Sequence, residues 1–177
     1  MLPLEGHERV LDAGCGSGSL AIEVKKAFPR ISLNAVDADG NILYRAKEKK
    51  GNLEINFQKA WLQQLPFPDK SFDTAYSSLV FHHLNSESKT AAMKEIYRVL
   101  KKSGRFLLVD FGKPQAFFSI FSWFTVLLEE GRDNYEGRIS AMLSEAGFRV
   151  SEKGRYRFNI TFWEAIKEEN LKDHQPL

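Results

Sequence analysis

The stretch Arg9 to Leu20, RVLDAGCGSGSL, limits the fold more than any other part of the chain. Arg9-Val10-Leu11-Asp12-Ala13 is short, apolar and ends beside a carboxylate, the pattern of a buried parallel strand. Gly14, Gly16 and Gly18 then take alternate positions, and Leu20, Ala21, Val24, Ala27 and Phe28 follow at helical spacing. A strand that turns through glycines into a helix brings backbone up to a ligand with no Cβ in the way. It also aims the unpaired N–H groups of the helix start at that ligand. The dinucleotide fingerprint has glycine at its first, third and sixth positions. Here the sixth is Ser19, which disfavours a pyrophosphate ligand and with it an NAD-dependent oxidoreductase. A G-x-G-x-G turn beside a strand-end acid suits a nucleoside without pyrophosphate. Glycine turns after strands also arise from packing alone, so the turn needs support from the rest of the chain.

That support starts with Ile31 to Val36, a second apolar strand ending at Asp37, 23 residues beyond Gly14. A ribose-binding acid falls near this distance in a βαβ unit. Bonding sugar hydroxyls to a carboxylate contributes roughly 1.5–3 kcal/mol per hydrogen bond. Asp37 could instead cap the helix expected over 41–50, but Asp39 is better placed for that, which leaves Asp37 for the ribose. Further strands are expected over 55–59, 72–77 and 105–110, with a proline-held loop at 60–68 and a helix over 86–100. Strands alternating with helices call for a parallel sheet covered on both faces. A helix over 136–146 with Gly147 as its C-cap, then strands over 148–156 and 158–166, would close the unit, and the tail from Glu168 is expected to fray.

Size and charge bound what such a chain does. Its 177 residues suit one domain with a full core. Twenty-five basic against 23 acidic residues leave no concentrated basic character, which argues against a nucleic-acid partner. The single cysteine, Cys15, excludes an internal disulfide, and the first residues lack an apolar leader; a cytoplasmic protein is expected. Residues 117–128, FFSIFSWFTVLL, are apolar except for three hydroxyl residues spaced by three. They are too few to cross a bilayer, which takes about 20. As a helix they suit core packing, a greasy wall over a substrate pocket, or a face resting on a membrane or partner.

Five features fall in order: VLDAGCGSG, VDAD, LPFPDKSFD, SSLVFHHL and RVLKKSGRFLLVD. As an ordered set they resemble the class I S-adenosylmethionine-dependent methyltransferases, nearest the branch holding the quinone-pathway C-methyltransferases. The likeness is dense from about residue 8 to 112 and weak beyond. It implies an α/β fold, a Rossmann-like three-layer sandwich whose seven-stranded, mostly parallel sheet runs 3-2-1-4-5-7-6 with the last strand antiparallel. One domain, 1–177, would carry a substrate-side insertion at 112–137. The cofactor would be S-adenosyl-L-methionine, with S-adenosyl-L-homocysteine as product. By the resemblance Gly14, Cys15, Gly16 and Gly18 surround the methionine part, Asp12 orders the turn from beneath, and Asp37 and Ala38 meet the ribose. Ile42 packs on the adenine. Trp61 stands where the family offers an acid to the adenine amino group, so it would stack while Leu62 donates its N–H. Ser77 and Ser78 line the cofactor next to the methyl group.

Family members carry helices before the first strand that cover the cofactor. Only eight residues stand there in this chain, so these lid helices are expected to be absent, the start being trimmed or the cover coming from 117–128 or a second subunit. A sulfonium methyl is already electrophilic, and in-line positioning can contribute on the order of 7–11 kcal/mol. A base is needed only where the acceptor loses a proton. His82 and His83 are the candidates, although either could cap the next helix or simply pack; Tyr76 and Asp110 could orient the acceptor. Cys15 has no visible base and reads as a small filler rather than a nucleophile. The expected acceptor is a small, apolar, lipophilic molecule, handled by a monomer or homodimer that has no transmembrane segment but is compatible with peripheral membrane contact. The competing expectation is a non-catalytic nucleoside-binding partner subunit with the same fold. No metal site is expected.

Overall fold

The computed structural model describes residues 4–113, 132–156 and 159–168. Strand β1 (Arg9–Ala13) leads through the glycine turn to α1 (Ser19–Ala27), then β2 (Ser32–Asp37), α2 (Gly40–Lys49), β3 (Ile55–Lys59) and β4 (Phe72–Ser78). After a 3-10 turn at Phe81–His83 come α3 (Ser86–Val99), β5 (Leu100–Phe111), α4 (Arg132–Glu136), α5 (Ile139–Glu145), β6 (Phe148–Arg155) and β7 (Ile160–Lys167). The sheet runs β3-β2-β1-β4-β5-β7-β6. The first five strands pair in parallel, and β7 lies antiparallel between β5 and β6. This is the expected Rossmann-like order.

Each sheet face buries its own core, because strand residues alternate sides. On one face Val10, Leu33, Ala35, Ile55, Phe57 and Tyr76 meet Ala21, Ile22 and Val24 of α1 and Leu43 and Ala46 of α2. On the other, Leu11, Phe72, Phe106, Leu108 and Trp163 meet Met93 and Ile96 of α3 and Ile139 and Leu143 of α5. The periodic apolar positions of each helix are thus the buried ones. Asp39 caps α2, its Oδ1 accepting from Asn41 N (2.8 Å) and Ile42 N (3.4 Å). Asn85 caps α3 through Ser88 N at 2.9 Å, so neither histidine does.

Three expected boundaries move. β5 begins at Leu100 rather than Arg105, because a register shift opposite Phe72 and Thr74 accommodates residues 101–104. The helix expected over 136–146 starts only at Ile139, after Gly137 adopts φ 76°, and a separate short helix, Arg132–Glu136, precedes it. α5 ends at Glu145 with Ala146 as its C-cap, and left-handed Gly147, expected as the cap, stands one residue beyond. Leu4 to Glu8 form no helix before β1; instead the Glu8 carboxylate accepts from Glu5 N and Gly6 N at 2.8 and 2.9 Å. Most of the 112–137 stretch, including the aromatic run 117–128, and the tail past Glu168 lie outside the described residues. Among the described residues no helix is long and apolar enough to cross a membrane, and no cluster of His, Cys, Asp or Glu could hold a metal ion.

Candidate active site

The C-terminal ends of the parallel strands β1, β2, β4 and β5 meet at one edge, where ligands bind in open α/β sheets. The glycine turn is fastened to β2 there: Gly14 N and Cys15 N both donate to Val36 O at 2.9 Å. The three glycines differ in purpose. A Cβ on Gly14 would stand 2.6 Å from a Val80 methyl, and one on Gly18 would stand 2.8 Å from the Phe57 ring. Those two admit close neighbours. Gly16, with φ 50°, has nothing nearer to such a Cβ than Ile42 Cδ1 at 4.0 Å. The backbone there borders open space.

Asp37 reaches into the same space. Its Oδ2 accepts from Gly16 N (2.8 Å) and its Oδ1 from Asp39 N (3.0 Å), which leaves each oxygen a further lone pair. Ala38 lies between these anchored residues. Ala60 N donates to the Asp37 carbonyl at 3.0 Å and brings the next loop alongside. In that loop Leu62 is buried, while Trp61 is 63% exposed and bridges only to Gln64.

Asp12 lies beneath the turn, 2% exposed, and its Oδ2 has no hydrogen-bond partner. Burial raises its pKa to about 7; Tyr76 pulls it down in part and the Asp37 charge raises it further. Tyr76 sits opposite Asp12 in the sheet register and is buried against α1 and α2, its hydroxyl turned toward the Asp12 carboxylate. It was expected to orient an acceptor; strand alternation turns it into the core instead. Burial and then the Asp12 charge push its phenol well above the ordinary value. The Cys15 thiol is likewise pushed up, by burial first and then by Asp12 and Asp37, which makes it a poor nucleophile. Ser77 is buried and donates its hydroxyl to Ala13 O at 2.6 Å, tying β4 to β1, while Ser78 is half-buried.

Beyond β4 the chain passes Leu79, a left-handed residue at φ 57°, into the turn that carries the histidines. Asp110, wholly buried at the end of β5, holds this turn. Its Oδ2 accepts from Val80 N (3.1 Å) and Phe81 N (2.8 Å). Its Oδ1 accepts from Phe111 N (2.7 Å) and lies 2.8 Å from His82 Nδ1. The His82 ring rests against His83, centroids 3.9 Å apart, and meets the edge of Phe111 at 4.8 Å. Asn134 of α4 donates to Phe111 O at 2.7 Å and reaches Asp110 Oδ1 at 3.4 Å. Its helix is fixed by Asp133, fully buried, which bonds Ser86 (2.6 Å), Lys89 (3.4 Å) and Arg138. Asp110 was expected to orient the acceptor, but it points at this turn; its partners are 24 and 28 residues away, with no local pattern to disclose them.

With this geometry in view, comparison with known proteins is informative. The profile of the family described as "Methyltransferase domain" matches residues 11–108, from β1 to β5. The chain belongs to this methyltransferase domain family. The methyltransferase domain is 36% identical over 139 residues to the ubiquinone/menaquinone biosynthesis C-methyltransferase UbiE of Rickettsia bellii (strain OSU 85-389), covering 71% of this chain and 55% of that one. It thus spans about half the length of the curated relatives it matches. Its fold superposes on the crystal structure of YcgJ from Bacillus subtilis with a TM-score of 0.74 at 22% identity, covering 95% of both chains. Against human N-acetylserotonin methyltransferase, solved in complex with SAM, the TM-score is 0.75 at 21% identity, covering 93% of this chain and 49% of that one.

Proposed function

We propose that this methyltransferase domain binds S-adenosyl-L-methionine at the ends of β1, β2 and β4. It transfers the methyl group to a small apolar acceptor of the quinol kind and releases S-adenosyl-L-homocysteine. The observation that carries the reading is the open backbone at Gly16, bordered by the Asp37 carboxylate and by Ile42. The remaining lone pairs of Asp37 suit ribose hydroxyls. The orphaned Oδ2 of Asp12 suits the ammonium of the methionine part, packed around Gly14, Cys15 and Gly18. Ala38 lies beside the ribose, Ile42, Trp61 and Leu62 surround the adenine, with exposed Trp61 stacking on it, and Ser77 and Ser78 border the methyl-bearing end. Membership of the family and the C-methyltransferase named above support the acceptor class. The single cysteine supports a reducing, cytoplasmic setting.

When bound, the cofactor supplies an electrophilic methyl on a positive sulfur. The chain's own task is then to bind, align and exclude water. Holding the acceptor in line contributes on the order of 7–11 kcal/mol to the barrier reduction. His82 or His83 receives the acceptor's proton where one must leave.

Calorimetric titration with S-adenosyl-L-homocysteine tests the cofactor, and transfer of labelled methyl to a short-chain demethylated naphthoquinol tests the acceptor. One binding site and label in the naphthoquinol are expected. Absence of binding overturns the reading in favour of a non-catalytic partner subunit, which Trp61 at the usual place of an acid would favour.

A further inference from the structure

Two adjacent histidines stand on the turn after β4, two and three residues beyond the Val80 that packs on Gly14, and a carboxylate behind them distinguishes one from the other. We propose that Asp110 is the positioning residue of His82: it holds the ring in the Nδ1–H tautomer, so that Nε2 takes the acceptor's proton as the methyl arrives. The inference rests on the methyltransferase reading above and names the acceptor's chemistry more closely.

Asp110 is suited to fix a ring because it is itself fixed. It is wholly buried and accepts three backbone N–H groups, from Val80, Phe81 and Phe111. A carboxylate has only acceptors to offer, so the nitrogen 2.8 Å from its Oδ1 must present a proton to it. That nitrogen is Nδ1 of His82. In the neutral ring the other nitrogen, Nε2, then carries the lone pair. It points away from the buried carboxylate, on a side chain 20% exposed. The His83 ring at 3.9 Å and the Phe111 edge at 4.8 Å hold the ring plane. The same carboxylate fixes the backbone of Val80, whose side chain packs on Gly14. Base and glycine turn therefore share one anchor.

Among the described residues, the charged and titratable groups recorded around the ring are these. Asp110 faces it from β5 and His83 from its own turn, while Lys89 of α3 and Asp133 of α4 stand behind Asp110. The Asp110 carboxylate, held by three backbone N–H groups, stabilises the imidazolium that forms. In the step itself an electron pair of the acceptor forms the new bond to the methyl carbon, and the sulfur–methyl pair returns to sulfur as a neutral thioether. The acceptor's proton passes to Nε2 and then to water. The dyad thus selects acceptors with a weakly acidic proton, a phenolic O–H or the C–H of a quinol ring undergoing C-methylation. A group that carries no such proton gains nothing from it.

The test uses the full chain labelled with 15N-histidine, with His82→Ala identifying the His82 signals in long-range 15N–1H spectra at mildly alkaline pH. The expected result is the Nδ1–H tautomer in the unsubstituted protein and its loss in Asp110→Asn. Binding of S-adenosyl-L-homocysteine by calorimetry should stay within about threefold in His82→Ala, whose side chain holds no part of the cofactor. With the short-chain naphthoquinol as probe, His82→Ala should lose at least about a hundredfold in kcat, with the cofactor KM unchanged. The rising limb of its pH profile should vanish, and free imidazole should restore part of the turnover. An Nε2–H tautomer in the unsubstituted protein, or an unaltered tautomer in Asp110→Asn, overturns the proposal. If Asp110→Asn does not fold, the unsubstituted tautomer and imidazole rescue of His82→Ala decide instead, and the absence of rescue overturns it. Failure of the unsubstituted protein to bind S-adenosyl-L-homocysteine sinks the functional reading on its own and is told apart by the calorimetry.

Discussion

Val80 occupies the place that a side chain on Gly14 would need, its two Cγ atoms 2.6 and 2.7 Å from the position of a Cβ there. A Cβ on Gly16, two residues on, would meet nothing closer than Ile42 Cδ1 at 4.0 Å. The two glycines should therefore fail differently when given a methyl group. Gly14→Ala must displace Val80 as well as strain the backbone and should cost about 2–4 kcal/mol of stability. Gly16→Ala meets backbone strain alone, about 1–2 kcal/mol, yet should abolish binding of S-adenosyl-L-homocysteine. Urea denaturation and calorimetry on the pair separate packing from ligand contact. Gly16→Ala binding as tightly as the unsubstituted protein would remove Gly16 from the cleft.

Asp12 makes the ligand-free protein sensitive to pH near neutrality. Burial lifts its folded-state pKa to about 7, above the unfolded value near 3.9. The folded state therefore holds this proton more tightly, and the stability it contributes is complete below the unfolded pKa and lost as pH rises through about 7. The unsubstituted protein should lose up to roughly 4 kcal/mol relative to Asp12→Asn between pH 4 and 8. Paired urea denaturation curves across that range check it, and parallel losses in the two proteins would show that Asp12 titrates normally.

Asp133 and Lys89 form a fully buried ion pair that joins α4 to α3. Removing Asp133 takes a buried carboxylate away from Ser86, Lys89 and Arg138 together. Asp133→Ala should cost about 3–5 kcal/mol, and the double variant with Lys89→Met should recover part of that loss. A double-mutant cycle by urea denaturation measures the coupling; strict additivity would mean that the pair contributes nothing.

Trp61 is well exposed, whereas Trp163 is buried with its indole N–H on Ser140 Oγ at 3.0 Å. Stacking of adenine on Trp61 should quench fluorescence, and Trp61→Ala should remove the quench and weaken binding by roughly 1–3 kcal/mol. A quench that survives the substitution would place the adenine elsewhere.

The parts of this fold written as short-range patterns were legible in the sequence. The strand, three alternating glycines and a helix lie within twenty residues, and Asp37 ends the next apolar strand, so the first crossover could be drawn from periodicity. The sheet order came through the family resemblance. Tyr76 was misjudged because its depth in the core depends on which face of β4 it takes, which only the register with Asp12 settles. The link from Asp110 to His82 crosses between two strands, and no spacing announces it. Gly137 left a visible mark in the sequence, but a glycine within a helical pattern is often tolerated, and here the helix starts only beyond it.

The glycine turn is wedged between both layers of the molecule: Gly18 against Phe57 and Ala46 on one side of the sheet, Gly14 against Val80 on the other. Loosening in either layer therefore reaches the same loop. As temperature rises, grip on the nucleoside should slacken before the sheet melts, whichever half of the interior gives way first.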